Sequence, residues 1–400
     1  MRRKSVTSAA KKSIATTKID HNAGRDIAII GGGIGGLTAA LAFARKGATV
    51  TVYEQAPALT EVGAGLQVTP NGARVLNRLG LRRAVVASSL RADAVTPMDA
   101  QSGNVIARFD LTGQDPSYRF CHRAALIDML ARACHVKGVK VVLNARISAT
   151  APDGSFQLGP DVVRPTLTIG ADGLRSVVRA AINTPKEPFF TGQVAWRAMI
   201  AAPDAPPVAR IWMAPGRHVV TYPLPNGRLN IVAVQERSQW ADEGWHHADA
   251  PENLCAAFAD VCWELKDILG AVEQVNLWGL FRHPVAEKWH VGSTAILGDA
   301  AHPTLPFLAQ GANLAIEDSY VLARCCNETA SLDAGLRAYQ ATRRARVVRA
   351  ITAANRNARN YHLRGPKRIL AHTALRTMGK VAPDAFINRM GWLYDHDVTA

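Results

Sequence analysis

A glycine-rich segment near the N-terminal end constrains the fold of this 400-residue chain more than any other feature. Asp26–Ile30 predict a short buried strand, and Gly31–Gly36 follow it at once. Leu37–Lys46 then predict a helix that stops at Gly47, and Ala48–Glu54 predict a second strand. The segment therefore reads as a β-α-β unit of about the 30 residues that such a unit needs.

The spacing of three glycines in this unit predicts its function. Gly31, Gly33 and Gly36 form G-x-G-x-x-G, in which the first glycine allows a tight turn, the second admits a pyrophosphate and the third lets helix and strand pack closely. The helix N-terminus offers unpaired N–H groups and the positive end of its dipole to phosphates. Glu54 ends the second strand about 20 residues further on, where an acid binds a ribose hydroxyl. The unit therefore predicts a site for a dinucleotide with an unphosphorylated ribose, such as FAD or NAD.

Two later segments distinguish between these cofactors. Gly170–Ser176 follows a predicted strand and introduces a helix. Gly298–Pro303 follows another predicted strand, and Gln310–Asn313 opens the next helix. Each segment alone is only a capped turn. Together with the glycine motif, they resemble the flavoprotein aromatic hydroxylases, the single-component FAD monooxygenases, in order and spacing over most of the chain. A pyridine nucleotide disulfide reductase is disfavoured, because the chain has one G-x-G-x-x-G and no C-x-x-x-x-C.

The resemblance implies a role for each residue that matches a motif of this family. The implied FAD-binding residues are Gly31, Gly33 and Gly36 at the pyrophosphate, Glu54 at the ribose, Arg123 near the pyrophosphate, Asp172 and Gly173 at FAD and the NAD(P)H entry, Asp299 at the ribityl chain, and Gly311, Ala312 and Asn313 beside the flavin ring. For Arg123, a surface arginine flanking a helix is the alternative. The resemblance also implies that NADH or NADPH reduces FAD, and that reduced flavin and O2 form a C4a-hydroperoxide that hydroxylates an aromatic ring.

Three further segments look like salicylate hydroxylase and 3-hydroxybenzoate 6-hydroxylase relatives. They are Ala195–Arg197, Arg217–Leu224 and Pro303–Gly311. This resemblance implies that the substrate is a small aromatic acid, salicylate or hydroxybenzoate-like. Because a phenolate is more electron-rich than a phenol, a base beside the ring hydroxyl assists the reaction.

His218 is the candidate for that base, because a neutral imidazole accepts a proton near neutral pH. His218 and Tyr222 stand four residues apart on a predicted strand, so both side chains are expected on one face of the sheet. A strand histidine that faces solvent is the alternative. His302, close to Asp299, is interpreted as a structural residue that fixes the Gly-Asp turn. Pro306 and Phe307 are predicted to line the substrate pocket near the flavin.

The domain organisation follows from these assignments. The predicted fold class is α/β, with a Rossmann-like FAD-binding domain, an inserted and mainly antiparallel β-sheet substrate domain, and a C-terminal helical region. Within the substrate domain, Pro225-Asn226-Gly227 between Val219–Leu224 and Leu229–Val234 predicts a hairpin, and a helix is predicted near Leu254–Ile268. The predicted bounds are 1–24 for a disordered basic tail, 25–185 for the first part of the FAD-binding domain, 186–285 for the substrate domain, 286–330 for the return to the FAD-binding domain, and 331–400 for the helical region.

The charge distribution restricts the partners. The formal net charge is +15, and most of it lies in residues 1–24 and between Arg337 and Lys380, a stretch without acids. Such segregated charge does not indicate a nucleic-acid-binding face. A solvated helix face is the preferred interpretation of the later stretch. The alternative is a site for an anionic partner, and weak contact with a membrane surface through this stretch would suit a hydroxylase of a quinone precursor or another hydrophobic ring.

The sequence also bears on alternative flavoprotein classes, on metal binding and on the cellular compartment. One alternative is a flavin-fold oxidase, reductase or halogenase. The Trp-x-Trp-x-Ile-Pro run of a halogenase is absent from the sequence, which disfavours that enzyme. A second alternative is a non-catalytic flavin-binding protein. The six cysteines form no C-x-x-C pair, and no metal site is predicted. A reduced, cytoplasmic protein is expected. Assembly as a homodimer is left open.

Overall fold

A computed structural model of the protein describes residues 20–59, 65–237 and 247–400. Within these ranges the strands, in chain order, are β1 (Asp26–Ile30), β2 (Thr49–Tyr53), β3 (Gly65–Val68), β4 (Ser89–Arg91), β5 (Ala94–Asp99), β6 (Phe109–Asp110), β7 (Arg119–His122), β8 (Lys140–Val142), β9 (Ile147–Thr150), β10 (Phe156–Leu158), β11 (Asp161–Val163), β12 (Leu167–Gly170), β13 (Phe189–Ala201), β14 (Val208–Ala214), β15 (Arg217–Leu224), β16 (Arg228–Glu236), β17 (His247–Asp249), β18 (Val275–Arg282), β19 (His290–Val291) and β20 (Thr294–Ile296).

The helices of the described ranges follow the same numbering. They are α1 (Ile34–Ala44), α2 (Pro70–Arg78), α3 (Arg82–Ala87), α4 (Arg123–Val136), α5 (Val177–Ile182), α6 (Pro251–Ala257), α7 (Trp263–Gly270), α8 (Gly311–Glu328), α9 (Leu332–Tyr361), α10 (Gly365–Val381) and α11 (Pro383–Tyr394), with short 3-10 turns at Gly298–Ala300 and Pro306–Leu308.

The first sheet carries the dinucleotide motif. Its strand order is β19-β20-β12-β1-β2-β8, and β1 pairs in parallel with β2 on one side and β12 on the other. Ile27 and Ile29 of β1 are fully buried, as expected for a central strand covered on both faces. Helix α1 packs against α4 and α8. The predicted β-α-β unit is therefore present, with β1 at the predicted bounds.

The second sheet is mainly antiparallel. Its order is β17-β18-β13-β16-β15-β14-β5-β6, in which β14 and β5 form a parallel pair. The predicted hairpin joins β15 to β16, and both Asn226 (φ +67°) and Gly227 (φ +64°) adopt the left-handed conformation that a tight hairpin turn requires. The helix predicted near Leu254–Ile268 is two helices, α6 and α7, that end and begin on either side of residues 258–262.

The two faces of this sheet pack against different partners. Val219, Trp212 and Ile231 point to a core shared with α6 and α7, whereas Tyr222 and Val234 join the main core with the FAD-binding domain. The predicted α/β fold class is confirmed. Strands β5 and β6 belong to a stretch that the sequence assigned to the FAD-binding domain, and the domain bounds stay a prediction.

Part of the predicted N-terminal tail packs against the folded protein. Residues 1–19 lie outside the described residues, but residues 20–24 do not form a free tail. Asn22 is fully buried, its side chain donates to the Ala323 carbonyl at 2.9 Å, and its backbone N–H donates to Asn327 Oδ1 at 3.1 Å. Such buried polar contacts fix the chain onto α8, so the prediction of disorder up to residue 24 was wrong for this stretch.

The basic stretch of the C-terminal region is also only partly a solvated helix face. On α9, Arg337 is exposed and pairs with Asp333 one turn away, as that interpretation expects. Arg343 of the same helix is fully buried. No helix in the described parts of the chain has the length and apolar character needed to cross a membrane.

Candidate active site

The glycine loop has the geometry of a pyrophosphate site. Gly31 adopts φ +107°, and a Cβ at this position would lie 2.4 Å from the Ala171 carbonyl oxygen. A Cβ at Gly36 would lie 2.0 Å from the Gly31 carbonyl oxygen, so packing of the protein itself excludes a side chain there. A Cβ at Gly33, in contrast, would meet no described atom within 4 Å. The open side of Gly33 at the start of α1 therefore fits the close approach of a phosphate group.

Glu54 lies directly beside this loop. Its carboxylate accepts hydrogen bonds from the backbone N–H of Gly32 at 2.6 Å and from that of Ala56 at 2.8 Å. These bonds hold the carboxylate at the end of β2, next to the first glycines. Its remaining lone pairs can accept from a ribose hydroxyl, as the predicted role requires.

Asp172 makes the capped turn that the sequence of this segment, taken alone, predicts. Its carboxylate accepts from the Ser176 hydroxyl at 2.5 Å and from the backbone N–H groups of Val177 and Val178 at 2.8 and 3.3 Å. Burial raises the pKa of Asp172, although these hydrogen bonds oppose the shift. Gly173 (φ +76°) makes the turn between Asp172 and the helix. Asp172 therefore caps α5, and the role of Asp172 and Gly173 toward FAD and NAD(P)H stays a prediction.

Asp299 and Arg123 come together although 176 positions separate them in the chain. The Asp299 side chain is solvent-accessible, yet protein surrounds it so closely that burial raises the pKa of its carboxyl. His302 and the Arg123 guanidinium oppose this shift. The Asp299 side chain therefore stays accessible to a ligand although protein lies close around it. The electrostatic interaction of Arg123 with Asp299, together with the burial that lowers the pKa of Arg123, favours the predicted site role over that of a surface arginine.

A buried charge cluster holds the turn that carries Asp299. Asp318 of α8 accepts from the Gly298 backbone N–H at 3.1 Å, from His302 Nε2 at 2.5 Å and from Arg343 Nε at 2.7 Å. Burial disfavours the Asp318 charge, but His302 and Arg343 outweigh it and lower the pKa of Asp318 to about 2. His302 thus fixes the Gly-Asp turn, as the sequence analysis expected.

Glu317 extends this cluster toward α2. It forms ion pairs with Arg343 at 2.5 Å and with Arg346 at 2.8 Å, and it accepts from Asn71 Nδ2 at 2.6 Å. Asn71 in turn accepts from the Thr69 hydroxyl at 2.6 Å. A carboxylate buried this deeply needs such a set of partners. This cluster was not predicted from the sequence, in which its only signal is the pair of adjacent acids in an apolar helix pattern.

The start of α8 lies next to the same network. Helix α8 begins at Gly311, and the N–H groups of its first residues, including Ala312, have no acceptor within the helix. No side chain caps this end of the helix either. Asn313 does not offer its side chain to a ligand. It accepts from the Thr69 N–H at 3.1 Å and donates to the carbonyls of Gln67 and Ala309 at 2.9 and 2.6 Å. Asn313 therefore fixes the turn, while the backbone N–H groups stay available.

The substrate side of the site is the inner face of β15. His218 and Tyr222 are both buried on the face toward the FAD-binding domain, as their even spacing predicts. The His218 ring lies 5.3 Å from that of Phe307, whose segment connects Asp299 to α8. Tyr222 lies 5.3 Å from the ring of Phe120, three positions before Arg123. Pro306 is exposed at the start of its turn. These contacts place the predicted base beside the predicted flavin segments.

Arg197 of β13 is a residue to which the sequence analysis gave no role. It shares the inner face with His218 and Tyr222, because it pairs with Val232 of β16, and Val232 pairs with Val220 of β15. Its guanidinium carbon lies 4.4 Å from the centroid of the Trp278 ring. Burial lowers the pKa of Arg197 to about 10, so the group stays charged at neutral pH. Its buried Nε makes no hydrogen bond, and no carboxylate among the described residues pairs with the guanidinium.

Two cavities elsewhere on the surface are not part of this site. One of about 560 Å³ is lined by Pro251, Cys255 and Val272, and one of about 340 Å³ by Pro206, Leu229 and Ile268. Both lie on the side of the second sheet that α6 and α7 cover. Neither contains a residue of the FAD motifs or of the His218 face. Neither cavity therefore contributes to the candidate site at the junction of the two sheets.

Comparison with known proteins identifies the class. Residues 25–354 match the family model described as FAD binding domain, so the chain belongs to this family of FAD-binding proteins. With the motifs and the fold, this match makes the chain an FAD-dependent monooxygenase that acts on aromatic rings. Use of NADH or NADPH is typical of the family.

The relatives and the solved structures agree with this class. A 3-amino-4-hydroxybenzoate 2-monooxygenase of Streptomyces platensis is 34% identical over 93% of this chain and 97% of its own length. A 3-hydroxybenzoate 6-hydroxylase of Polaromonas naphthalenivorans is 30% identical over 95% and 98%. A salicylate hydroxylase in complex with its substrate shares the fold, with a TM-score of 0.79 at 22% identity and coverage of 94% and 96%. HpxO of Klebsiella pneumoniae, complexed with FAD and uric acid, has a TM-score of 0.78 at 24% identity and coverage of 92% and 95%.

Proposed function

We propose that this monooxygenase hydroxylates a small aromatic acid of the salicylate or hydroxybenzoate type, with NADH or NADPH as reductant and O2 as co-substrate. Arg197 is the observation that carries the substrate class. A desolvated cation without a counter-ion is costly, and an anionic ligand would remove that cost. A guanidinium also matches the planar geometry of a carboxylate. The names of the relatives, which specify hydroxylated benzoates, support the same class.

His218 is the proposed base on this face. Burial, together with the neighbouring His362, lowers the pKa of His218 well below its ordinary value, so the ring is neutral at pH 7. Its Nδ1 is engaged with His362, and its Nε2 makes no hydrogen bond to any residue in the described ranges. A free lone pair on a neutral ring is what removal of a phenolic proton requires.

Tyr222 suits a different role. Burial raises the pKa of Tyr222, so its hydroxyl stays protonated and can donate a hydrogen bond but cannot act as the base. Together, Arg197 and Tyr222 would hold the acidic group of the ring while His218 accepts the proton of its hydroxyl. This division of roles assigns the polar residues of the inner face to binding, orientation and proton removal.

FAD fits the other half of the site. The glycine loop and Glu54 would hold its ADP part, Asp299 its ribityl chain, and the N–H groups at the start of α8 its ring. When bound and reduced, FAD supplies the activation of O2. The chain supplies orientation of the ring substrate, the base and a closed environment, since Phe307 and Tyr361 pack around His218.

The substrate class is tested by pairing each acid with its neutral amide. We expect substrate-stimulated NAD(P)H oxidation and hydroxylated product with salicylate or 3-hydroxybenzoate, and much less with salicylamide or 3-hydroxybenzamide. In Arg197→Met, kcat/KM for the acid should fall by about 10- to 150-fold, since a charge-assisted hydrogen bond contributes about 1.5–3 kcal/mol. Reaction of the amide should change little.

Arg210→Met is the matched control for this test. Arg210 also lies over a tryptophan, with its guanidinium carbon 5.8 Å from the Trp212 ring, but on the outer face, where Glu264 pairs with it at 2.6 Å. The control should keep the preference for the acid. Equal losses for acid and amide in Arg197→Met would refute the assignment of Arg197.

One observation favours the second candidate, a hydrophobic ring substrate taken from a membrane surface. Helix α10 exposes Ile369, Leu370 and Val381 beside the basic residues Lys367 and Lys380. Apolar side chains with a basic rim suit the interface of an anionic bilayer. Co-sedimentation with phosphatidylserine vesicles tests this candidate, and Ile369→Asp together with Leu370→Asp should abolish any binding. No binding by the unmodified protein would leave the soluble aromatic acid as the substrate class.

The proposal also covers the cellular compartment and the oligomeric state of the protein. All six thiols are free, which suits a reducing compartment, and we infer a cytoplasmic protein. A homodimer stays a proposal, to be tested by light scattering of the purified protein.

A further inference from the structure

His218 is the first member of a hydrogen-bonded series that reaches the protein surface. Its Nδ1 lies 2.7 Å from His362 Nε2, and His362 Nδ1 lies 3.0 Å from Glu236 Oε1. His218 and His362 are almost inaccessible, whereas the Glu236 side chain is 42% exposed. Arg364 pairs with the other Glu236 oxygen at 2.8 Å. The series therefore connects the substrate face of β15 with solvent.

The backbone holds the three residues of this series in place. Gly216 donates its N–H to the His362 carbonyl at 3.1 Å, and its own carbonyl accepts from the Glu236 N–H at 3.0 Å. His362 immediately follows the last residue of α9, and Glu236 is the last residue of β16. The turn before β15 thus ties both ends together. Tyr361, whose ring lies 5.2 Å from that of His218, closes the remaining side.

The acid at the outer end determines where the protons are. Burial disfavours the charge of Glu236, but hydrogen bonds from Arg364 and His362 outweigh it and lower the pKa of Glu236, so it is a carboxylate at neutral pH. A carboxylate only accepts, so His362 must carry its proton on Nδ1 and present a lone pair at Nε2. His218 must then carry its proton on Nδ1, which leaves Nε2 as the lone pair that faces the substrate.

We propose that His362 and Glu236 are positioning residues that fix the basic tautomer of His218 and pass the phenolic proton of the substrate to solvent. This inference rests on the proposed function of His218 as the base. Neither residue touches the ring of the substrate in this scheme. Their effect reaches the reaction only through the state of His218, in the way that a buried carboxylate orients a catalytic imidazole.

The proton balance of the relay is simple. The phenolic O–H bond breaks and its proton binds His218 Nε2, while the Nδ1 proton of His218 moves to His362 Nε2. The Nδ1 proton of His362 moves to Glu236, which releases a proton to water, so neither imidazole becomes a cation. The reverse sequence returns a proton to the phenolate of the product and restores both tautomers. No electron is transferred in any of these steps.

The test uses Glu236→Gln in the FAD-loaded protein, because this change keeps the shape of a half-exposed side chain and removes its charge. Product formed per NAD(P)H consumed should fall at pH 7 for a phenol of ordinary pKa, with a loss in hydroxylation rate of about 10²-fold, the low end of general-base contributions. The ratio should recover above the pKa of the phenol. The KM of the substrate and the rate of flavin reduction should not change.

A substrate that is already ionised separates proton transfer from structural damage. With a nitro-substituted hydroxybenzoate, which is a phenolate at pH 7, Glu236→Gln should be as well coupled as the unmodified protein. Glu264→Gln is the matched control, since Glu264 is also paired with an arginine and 38% exposed, but on the outer face of the sheet. It should behave as wild type with both substrates. Equal defects with the phenol and the phenolate would overturn the relay.

A second measurement does not depend on turnover. In protein with ¹⁵N-labelled histidine, His218 and His362 should both appear as neutral rings protonated at Nδ1, and Glu236→Gln should change the tautomer of His362. Tautomers at Nε2 in the unmodified protein would refute the relay whatever the activity. If the tautomers are as expected and no phenolic acid is hydroxylated, the proposed function fails and the hydrogen-bonded series stands.

Discussion

Replacement of Arg343 by methionine is a direct test of what holds the active site together. Arg343 is fully buried between two buried carboxylates, with Nη1 2.5 Å from Glu317 and Nε 2.7 Å from Asp318. Removal of one partner of a buried ion pair typically costs about 3–5 kcal/mol, because the other charge stays desolvated. Here Glu317 keeps Arg346, and Asp318 keeps His302. We therefore expect a loss near the lower limit, about 3 kcal/mol.

The same substitution one turn and a half earlier on α9 provides the control. Arg337 is 63% exposed and pairs with Asp333, so Arg337→Met should cost less than about 0.5 kcal/mol. The free energy of unfolding is measured by urea denaturation at one fixed excess of FAD, because ligand binding contributes to stability. Arg343→Met should also release FAD more readily, since Asp318 fixes the Gly298 turn. A difference below about 1 kcal/mol between the two variants would refute the structural role of the cluster.

Three further predictions follow from the cofactor side of the site. Gly36→Ala should fail to fold stably, because its Cβ would lie 2.0 Å from a backbone oxygen, whereas Gly33→Ala should unfold in urea like the wild-type apoprotein and lose FAD affinity. Asp299→Ala should weaken FAD binding, measured by fluorescence titration, by about 10-fold or more, and unchanged affinity would contradict its role at the ribityl chain. Asp318, with its pKa lowered to about 2, should add stability that is complete above the ordinary value of 3.8 and is lost as the pH falls toward 2. In Asp318→Asn this part of the acid unfolding profile should be absent.

Local patterns were sufficient for the FAD half of the fold. The strand at Asp26–Ile30 and the hairpin at Asn226-Gly227 were predicted correctly, because a buried run beside glycines and a left-handed turn pair are local signals. The predicted extent of the helix near Leu254–Ile268 was wrong, because no proline or glycine marks the break between α6 and α7, which depends on packing. The predicted tail included residues 20–24 because the residues that bind Asn22 lie about 300 positions further along the sequence.

The charged groups of the site could not be predicted because their partners are distant in the sequence. Arg343 belongs to a basic stretch that reads as a solvated surface, and only the packing of α9 against α8 brings it between two acids. His362 follows the last residue of a 30-residue helix, and nothing near it in sequence indicates the contact with His218. Long-range electrostatic contacts of this kind leave no periodicity in a single sequence.

The register of the second sheet explains why the substrate half could be predicted only in part. His218 and Tyr222 share a strand, so alternation alone places them on one face. Arg197 reaches that face only because it pairs with Val232, which in turn pairs with Val220. A shift of one residue between β13 and β16 would turn Arg197 toward α6 and α7 and bring Trp196 to the substrate. The proposed preference for an anionic ring is therefore a property of strand register, which tertiary packing fixes and which no local motif records.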